Sequence, residues 1–94
     1  PLGLMAGFVE AQRLRDAVFA EALLNALGRH GAPVVLIAGN GHARTDWGVP
    51  ASIRSADQDV SVFSIAMAES ESEAPFDPVV VVPPADRPDP CETL

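Results

Sequence analysis

The chain has 94 residues, 48% of them apolar, with 13 acidic side chains against 6 basic ones and a formal net charge of −7. That length allows at most one small domain, which buries only roughly 60–65% of the surface its unfolded chain would expose, and the apolar share is that of a globular chain rather than a disordered one. The charge excludes a basic patch and so argues against nucleic acid, the lone Cys91 excludes an internal disulfide and a CxxC metal knuckle, and no apolar run approaches the ~20 residues that cross a bilayer.

Pro1 to Gly7 reads as a lead-in loop. It has no charged n-region of a signal peptide and no initiator methionine, so the chain is expected to be part of a longer protein. "FVEAQRLRDAVFAEALLNALG" (8–28) then predicts a helix, because it lacks internal Gly and Pro, is rich in Ala, Leu, Glu and Arg, and ends on Gly28. Phe8, Ala11, Leu14, Val18 and Ala22 recur at helical spacing as an apolar stripe, widened toward the C-terminus by Phe19, Leu23, Leu24 and Leu27. Glu10, Arg13 and Glu21 fall on a face that can stay wet.

"PVVLIA" (33–38) predicts a strand, and its lack of alternation predicts burial on both faces, as in the centre of a parallel sheet. Gly39, Asn40 and Gly41 end it, as residues that readily take positive φ. "GVPASIR" predicts a single helical turn near Pro50. "VSVFSIAM" (60–67) and the proline-fenced "PVVVVPP" (78–84) predict two further strands, with the acidic loop "ESESEAPFDP" between them. Residues 83–94 form an extended proline-rich tail. The expected fold is α/β: one long helix packed on a short three-stranded sheet, the C-terminal part of a larger domain, with one sheet face lacking a partner.

Ligands of open α/β sheets bind beyond the carboxyl ends of the strands, and His42 sits there on a Gly-flanked loop. Asn40 offers a donor and an acceptor beside it, and Arg44 and Asp46 add charge. An ordinary surface turn, with His42 capping a carbonyl, fits the same residues. On the helix, Gln12, Arg15, Asp16 and Phe19 share one face at i, i+3, i+4 and i+7. Gln12 and Asp16 can address one pocket, and Arg15 can pair with a carboxylate or a ligand propionate; local ion pairs on a helix surface are the plainer account. His30 is a helix C-terminal residue beside the dipole, and Trp47 either stacks on a flat ligand or covers the sheet end. No GxSxG elbow, HExxH or P-loop is present, so no complete hydrolytic site is encoded.

"AQRLRDAVFAEAL", "VVLIAGNGHARTDWGVP", Ser61-Val62 and "VVPPADRPDPC" together resemble the ChaN-like haem-binding uptake family, the iron-regulated lipoprotein group related to the Tiki, TraB and erythromycin-esterase superfamily. The resemblance runs from about Phe8 to Cys91, with the helix, the "GNGH…GVP" loop and the "PP…R.DPC" tail in the family's order. It implies that residues 1–94 are one partial ChaN-like domain, because the family's N-terminal "GE.H" motif has no counterpart here. It implies a haem-binding module for haem or iron uptake, with a low-polarity pocket at the strand ends. His42 is its main site residue and metal-binding group, accompanied by Asn40, Gln12, Arg15 and Asp16. The implied partner is haem, with a homodimer as a further possibility. The implied location is the cell envelope, reached only through a lipid anchor on an N-terminal part not in the sequence. The chain has no tyrosine, so a phenolate ligand would come from another segment or protomer. The rival expectation is a metal-dependent hydrolase, with His42 as metal ligand or general base and Asp16 or Asp46 as its orienting carboxylate. A fragment without activity is the remaining one.

Overall fold

The computed structural model describes residues 2–71, 73, 75–89 and 91. Helix α1 (Leu2–His30) is followed by the short α2 (Asn40–Ala43) and by α3 (Val49–Ala56), then by strands β1 (Ala66–Ala68) and β2 (Val79–Val81). The helix expected over 8–28 is longer at both ends. Residues 2–7, read as a loop, are helical, because neither Gly3 nor Gly7 outweighs the helix formers around them once the turn behind is in place. Gly28 lies inside α1, and the stop falls at Gly31. Its φ of +77° is open to glycine, and its N–H closes on the Leu27 carbonyl at 2.9 Å, satisfying one of the helix's last orphan acceptors. Pro1 lies outside the described residues.

The core is small and helical. Ala20, Val49 and Ile53 are buried where α1 crosses α3, flanked by half-buried Phe19, Leu23, Leu24, Val60 and Val62. This corrects the choice of core stripe on α1. Phe8 is 73% exposed, and Leu14 and Val18 are exposed as well, whereas the residues expected only to widen the stripe do the packing. The reason is directional: α3 meets only the second half of α1, on the Phe19–Leu24 side, and nothing among the described residues covers the other side. α3 itself is two turns rather than one, started by Pro50 in its first turn and closed by the Asp57 N–H on the Ile53 carbonyl at 2.8 Å.

The sheet has two strands, not three. β1 and β2 pair in parallel with Ala66 opposite Val79, Met67 opposite Val80 and Ala68 opposite Val81. Pro78 and Pro83 flank the β2 ladder, and without an N–H neither can extend it, so the "VSVFSIAM" segment pairs only at its C-terminal end. Residues 63–67 still alternate as strand geometry requires: Ser64 and Ala66 face inward, and Phe63, Ile65 and Met67 face out. The missing strand is "PVVLIA". It has no regular secondary structure and makes no backbone hydrogen bond among the described residues, and Val35 and Ile37 are 79% and 89% exposed. β-branched residues license an extended chain, but a ladder needs a neighbouring edge, and among the described residues none pairs with this segment. The expectation of two buried faces is overturned for the same reason. The accessible surface of 7449 Å² exceeds the about 5,200 Å² typical of a compact monomer of this mass, as these bare apolar faces require.

Residues 83–89 of the tail have no regular secondary structure, and Cys91, the remaining described residue of the tail, donates its N–H to Oδ1 of Asp89 at 2.9 Å. Pro90 and residues 92–94, also assigned to the tail, lie outside the described residues, as do Ser72 and Ala74 of the acidic loop. The tail is pinned to the end of β1. Glu69 accepts the Ala85 N–H at 3.1 Å and two guanidinium bonds from Arg87 at 2.9 and 3.2 Å. These bonds, Arg87's first, hold the Glu69 carboxyl below the ordinary glutamate range. A carboxyl lowered in the folded state contributes stability above its unfolded pKa and loses it as pH falls through the folded one. The clasp is therefore expected to hold at neutral pH and to open only below about pH 4. Hydrogen exchange at the Ala85 amide checks this, and release already near neutrality would contradict it.

Candidate histidine site

His42 is carried by α2, a single turn built from Asn40, Gly41, His42 and Ala43. The positive φ expected at Gly39, Asn40 and Gly41 is not used. Gly39 is an extended N-cap at φ −63°, and among the described residues only Gly31 has positive φ. The glycines serve instead to let the chain turn tightly, with the His42 N–H bonded to the Gly39 carbonyl at 3.0 Å.

Two residues picked from distant parts of the sequence meet here. Nδ1 of His42 lies 2.6 Å from Oδ1 of Asp16 on α1, and Asp16 is only 5% exposed. As a carboxylate Asp16 can only accept, so the proton of the neutral ring belongs on Nδ1 and the lone pair on Nε2. Among the described residues no hydrogen bond engages Nε2. Phe19, one turn beyond Asp16, sets its ring edge-on to the imidazole, with centroids 5.3 Å apart and planes at 86°. The pair is therefore held in angle by one carboxylate and in tilt by one aromatic edge, the arrangement by which a second residue orients a metal-binding histidine.

The other expected residues are placed differently. Gln12 is half-buried, and its Oε1 accepts a bond from Nη1 of exposed Arg15 at 3.2 Å. Asn40 turns to the sheet, its Nδ2 donating to the Met67 carbonyl at 3.1 Å. Asp46 is not the partner of His42. It takes both Nε and Nη2 of Arg44, at 3.0 and 2.8 Å, which holds its carboxyl below and the guanidinium above their ordinary ranges. Arg44 in turn lies 4.0 Å from the ring centroid of Trp47, a cation–π contact on one face of an exposed indole. His30 is an exposed residue of the last turn of α1, and Cys91 is an exposed free thiol.

Several residues that shape the site escape the sequence reading. Gly48 is buried beneath the loop, and a Cβ built on it would lie 2.7 Å from the His42 carbonyl carbon and 2.8 Å from the Arg44 oxygen. Space, not φ, makes it glycine. Buried Ser64 donates its hydroxyl to the Ala43 carbonyl, and Thr45 bonds the Pro75 carbonyl through both its N–H and its hydroxyl at 2.9 Å. A signal for Ser64 was available: it is a hydroxyl at an inward position of an alternating apolar run, where a partner is obligatory. Gly48 offered none beyond its place before Val-Pro.

A shallow cleft of about 280 Å³ lies between α1 and α3, lined by Ala17, Ala20, Leu24 and Ser52 among others, and a second of about 450 Å³ lies beside Glu71, Glu73, Val79 and Val81. His42 lines neither. Among the described residues no group of three His, Cys, Asp or Glu side chains converges on a metal-sized space.

The family model for haem-binding uptake proteins of the ChaN type, in the Tiki superfamily, matches residues 3–53. That span contains α1, α2 and most of α3, and with them Asp16, Phe19, His42 and Gly48. No curated protein and no solved structure matches the chain.

Proposed function

The chain belongs to the ChaN family of haem-binding uptake proteins in the Tiki superfamily, and we propose that it binds haem, which His42 would hold. The observation that carries the reading is the 2.6 Å contact between His42 Nδ1 and buried Asp16, which leaves Nε2 to a ligand. An imidazole nitrogen would serve to hold haem iron, and a carboxylate on the other nitrogen fixes the tautomer and the direction of the ring. Haem, when bound, would supply an iron centre for ligand binding or transport.

The remaining residues of the chain fit the group. Phe19 sets an aromatic edge beside the imidazole, low-polarity surface of the kind that lines such sites. Arg15, bonded only to Gln12 through Nη1 among the described residues, keeps guanidinium donors for a propionate. Asn40 acts on the loop rather than on the ligand, through its bond to Met67. Among the described residues the feature at His42 is one imidazole with one carboxylate, which suits a single bond to haem iron.

An uptake role places the module at the cell envelope, attached through a lipid anchor on a segment other than those described. Among the described residues no helix is long and apolar enough to cross a membrane. The bare faces around Val35, Ile37 and Phe8 also suit a homodimer.

Absorbance titration with hemin tests the proposal. The protein is expected to shift and sharpen the Soret band with one site per chain, and His42→Ala is expected to weaken binding by about a hundredfold or more, since even residues that only support a metal ligand cost 10–100-fold. Equal Soret spectra for the two proteins remove His42 from the site. One bound divalent ion and no haem in the purified protein favours the hydrolase. Sedimentation of the same samples reads the dimer, and a monomer at every concentration sinks that part alone.

A further inference from the structure

The loop that carries His42 is fixed from two sides, and only one of them is α1. On the other side the segment leading into β1 takes hold of the backbone next to the histidine. Ser64 lies in the run leading into β1, is buried, and donates its hydroxyl to the carbonyl of Ala43, the residue after His42. Ser64 is itself locked in place. Its N–H donates to Oδ2 of Asp77 at 2.6 Å, and its carbonyl accepts the Asp77 N–H at 2.9 Å. Asn40 adds a bond from the start of α2 to the Met67 carbonyl, so the short helix is tied at one end to β1 and at the other to the segment just before it.

We infer that Ser64 is the positioning residue of the histidine site: its hydroxyl, clamped through Asp77, sets where the His42 backbone sits, so that Asp16 meets Nδ1 and Nε2 is left to the ligand. The inference rests on the reading of His42 as the ligand group. Both Ser64 and Asp77 lie beyond residues 3–53, so the clamp comes from outside the span that matches the family. The physical reason is that α2 is too short to hold its own direction. A one-turn helix satisfies almost none of its backbone groups internally, and its orientation is decided by whatever accepts or donates at its ends. A hydroxyl in a buried, fully bonded position is the stiffest such tether available, since it has no water to exchange with. Gly48 keeps the space under the loop clear but makes no directional bond to α2's carbonyls from its side chain, having none.

The test reads His42 directly in ligand-free protein labelled with ¹⁵N. In the wild type, the two ring nitrogens are expected to show a single Nδ1–H tautomer. Ser64→Ala is expected to move both shifts toward a tautomer mixture and to raise the hemin Kd by about 3- to 10-fold, the loss of one hydrogen bond. Ser64→Thr, which keeps the hydroxyl, is expected to restore most of both. Ser64→Cys has nearly the same shape with a weak donor and decides the matter if the alanine variant does not fold. Wild-type ring shifts in the alanine or cysteine variant, with only the melting temperature lowered, overturn the inference. If the wild type binds no hemin while the His42 shifts still follow Ser64, the positioning role stands and the haem reading falls.

Discussion

Gly48→Ala is expected to be the most damaging single substitution in the site, costing about 3 kcal/mol or more and lowering Tm by roughly 12 °C or more. The added methyl would lie 2.7 Å from the His42 carbonyl carbon and 2.8 Å from the Arg44 oxygen. Both neighbours are backbone, so no side chain can swing aside. The loop also has no slack to give. The Gly48 N–H bonds the Arg44 carbonyl at 3.0 Å, and its own carbonyl accepts Ala51 and Ser52 at 3.1 and 3.3 Å as the start of α3. Moving Gly48 thus disturbs α2 and α3 together, and with α3 goes Ile53 from the core. Thermal melts check the magnitude, and a variant within about 1 kcal/mol of the wild type would show the loop to be looser than these contacts allow.

Removing the carboxylate of Asp16 is the second large effect. Asp16→Ala leaves the His42 Nδ1–H without its acceptor in a part-buried place, and a donor so stranded costs about 1–3 kcal/mol. Asp16→Asn separates the two roles of the residue. Its amide oxygen can still accept from Nδ1, so folding is expected to change by less than about 1 kcal/mol. Hemin affinity is nevertheless expected to fall about tenfold, because an amide fixes the tautomer and direction of the ring less firmly than a carboxylate does. Paired denaturation and hemin titrations distinguish these outcomes. Equal hemin affinity for wild type and both variants would show that Asp16 only packs against the ring.

What was legible in the sequence divides along a physical line. Local signals were read well: the long helix between residues 8 and 28, the helical start at Val49–Pro50, and the strand between two prolines at Val79–Val81 all come from propensity and chain breaks. Non-local ones were not. The composition of residues 33–38 permits a strand, but strandhood is a relation to a neighbour, and no neighbour is there. The helix stop moved from Gly28 to Gly31 because the choice depends on which glycine reaches positive φ with its N–H still over a free carbonyl. The core stripe on α1 was misjudged because periodicity gives several apolar faces and only the crossing with α3 selects one.

The site followed the same rule. His42 and Asp16 were both visible as candidates, one from its place after an apolar run and one from helical spacing, and Asp46 stood as an equal partner for the imidazole. Only the fold brings Asp16 to Nδ1 and hands Asp46 to Arg44. Gly48 and Ser64, whose roles are to leave space and to hold a carbonyl, carry no chemistry that a motif could announce.

The most direct test of the account is to replace His42 by glycine and return the missing ring as free imidazole. The account predicts that His42→Gly with hemin loses the wild-type Soret band and regains it as imidazole fills the vacated place. A His42→Gly protein that keeps the wild-type band without imidazole, or one whose spectrum imidazole leaves unaltered, would contradict it.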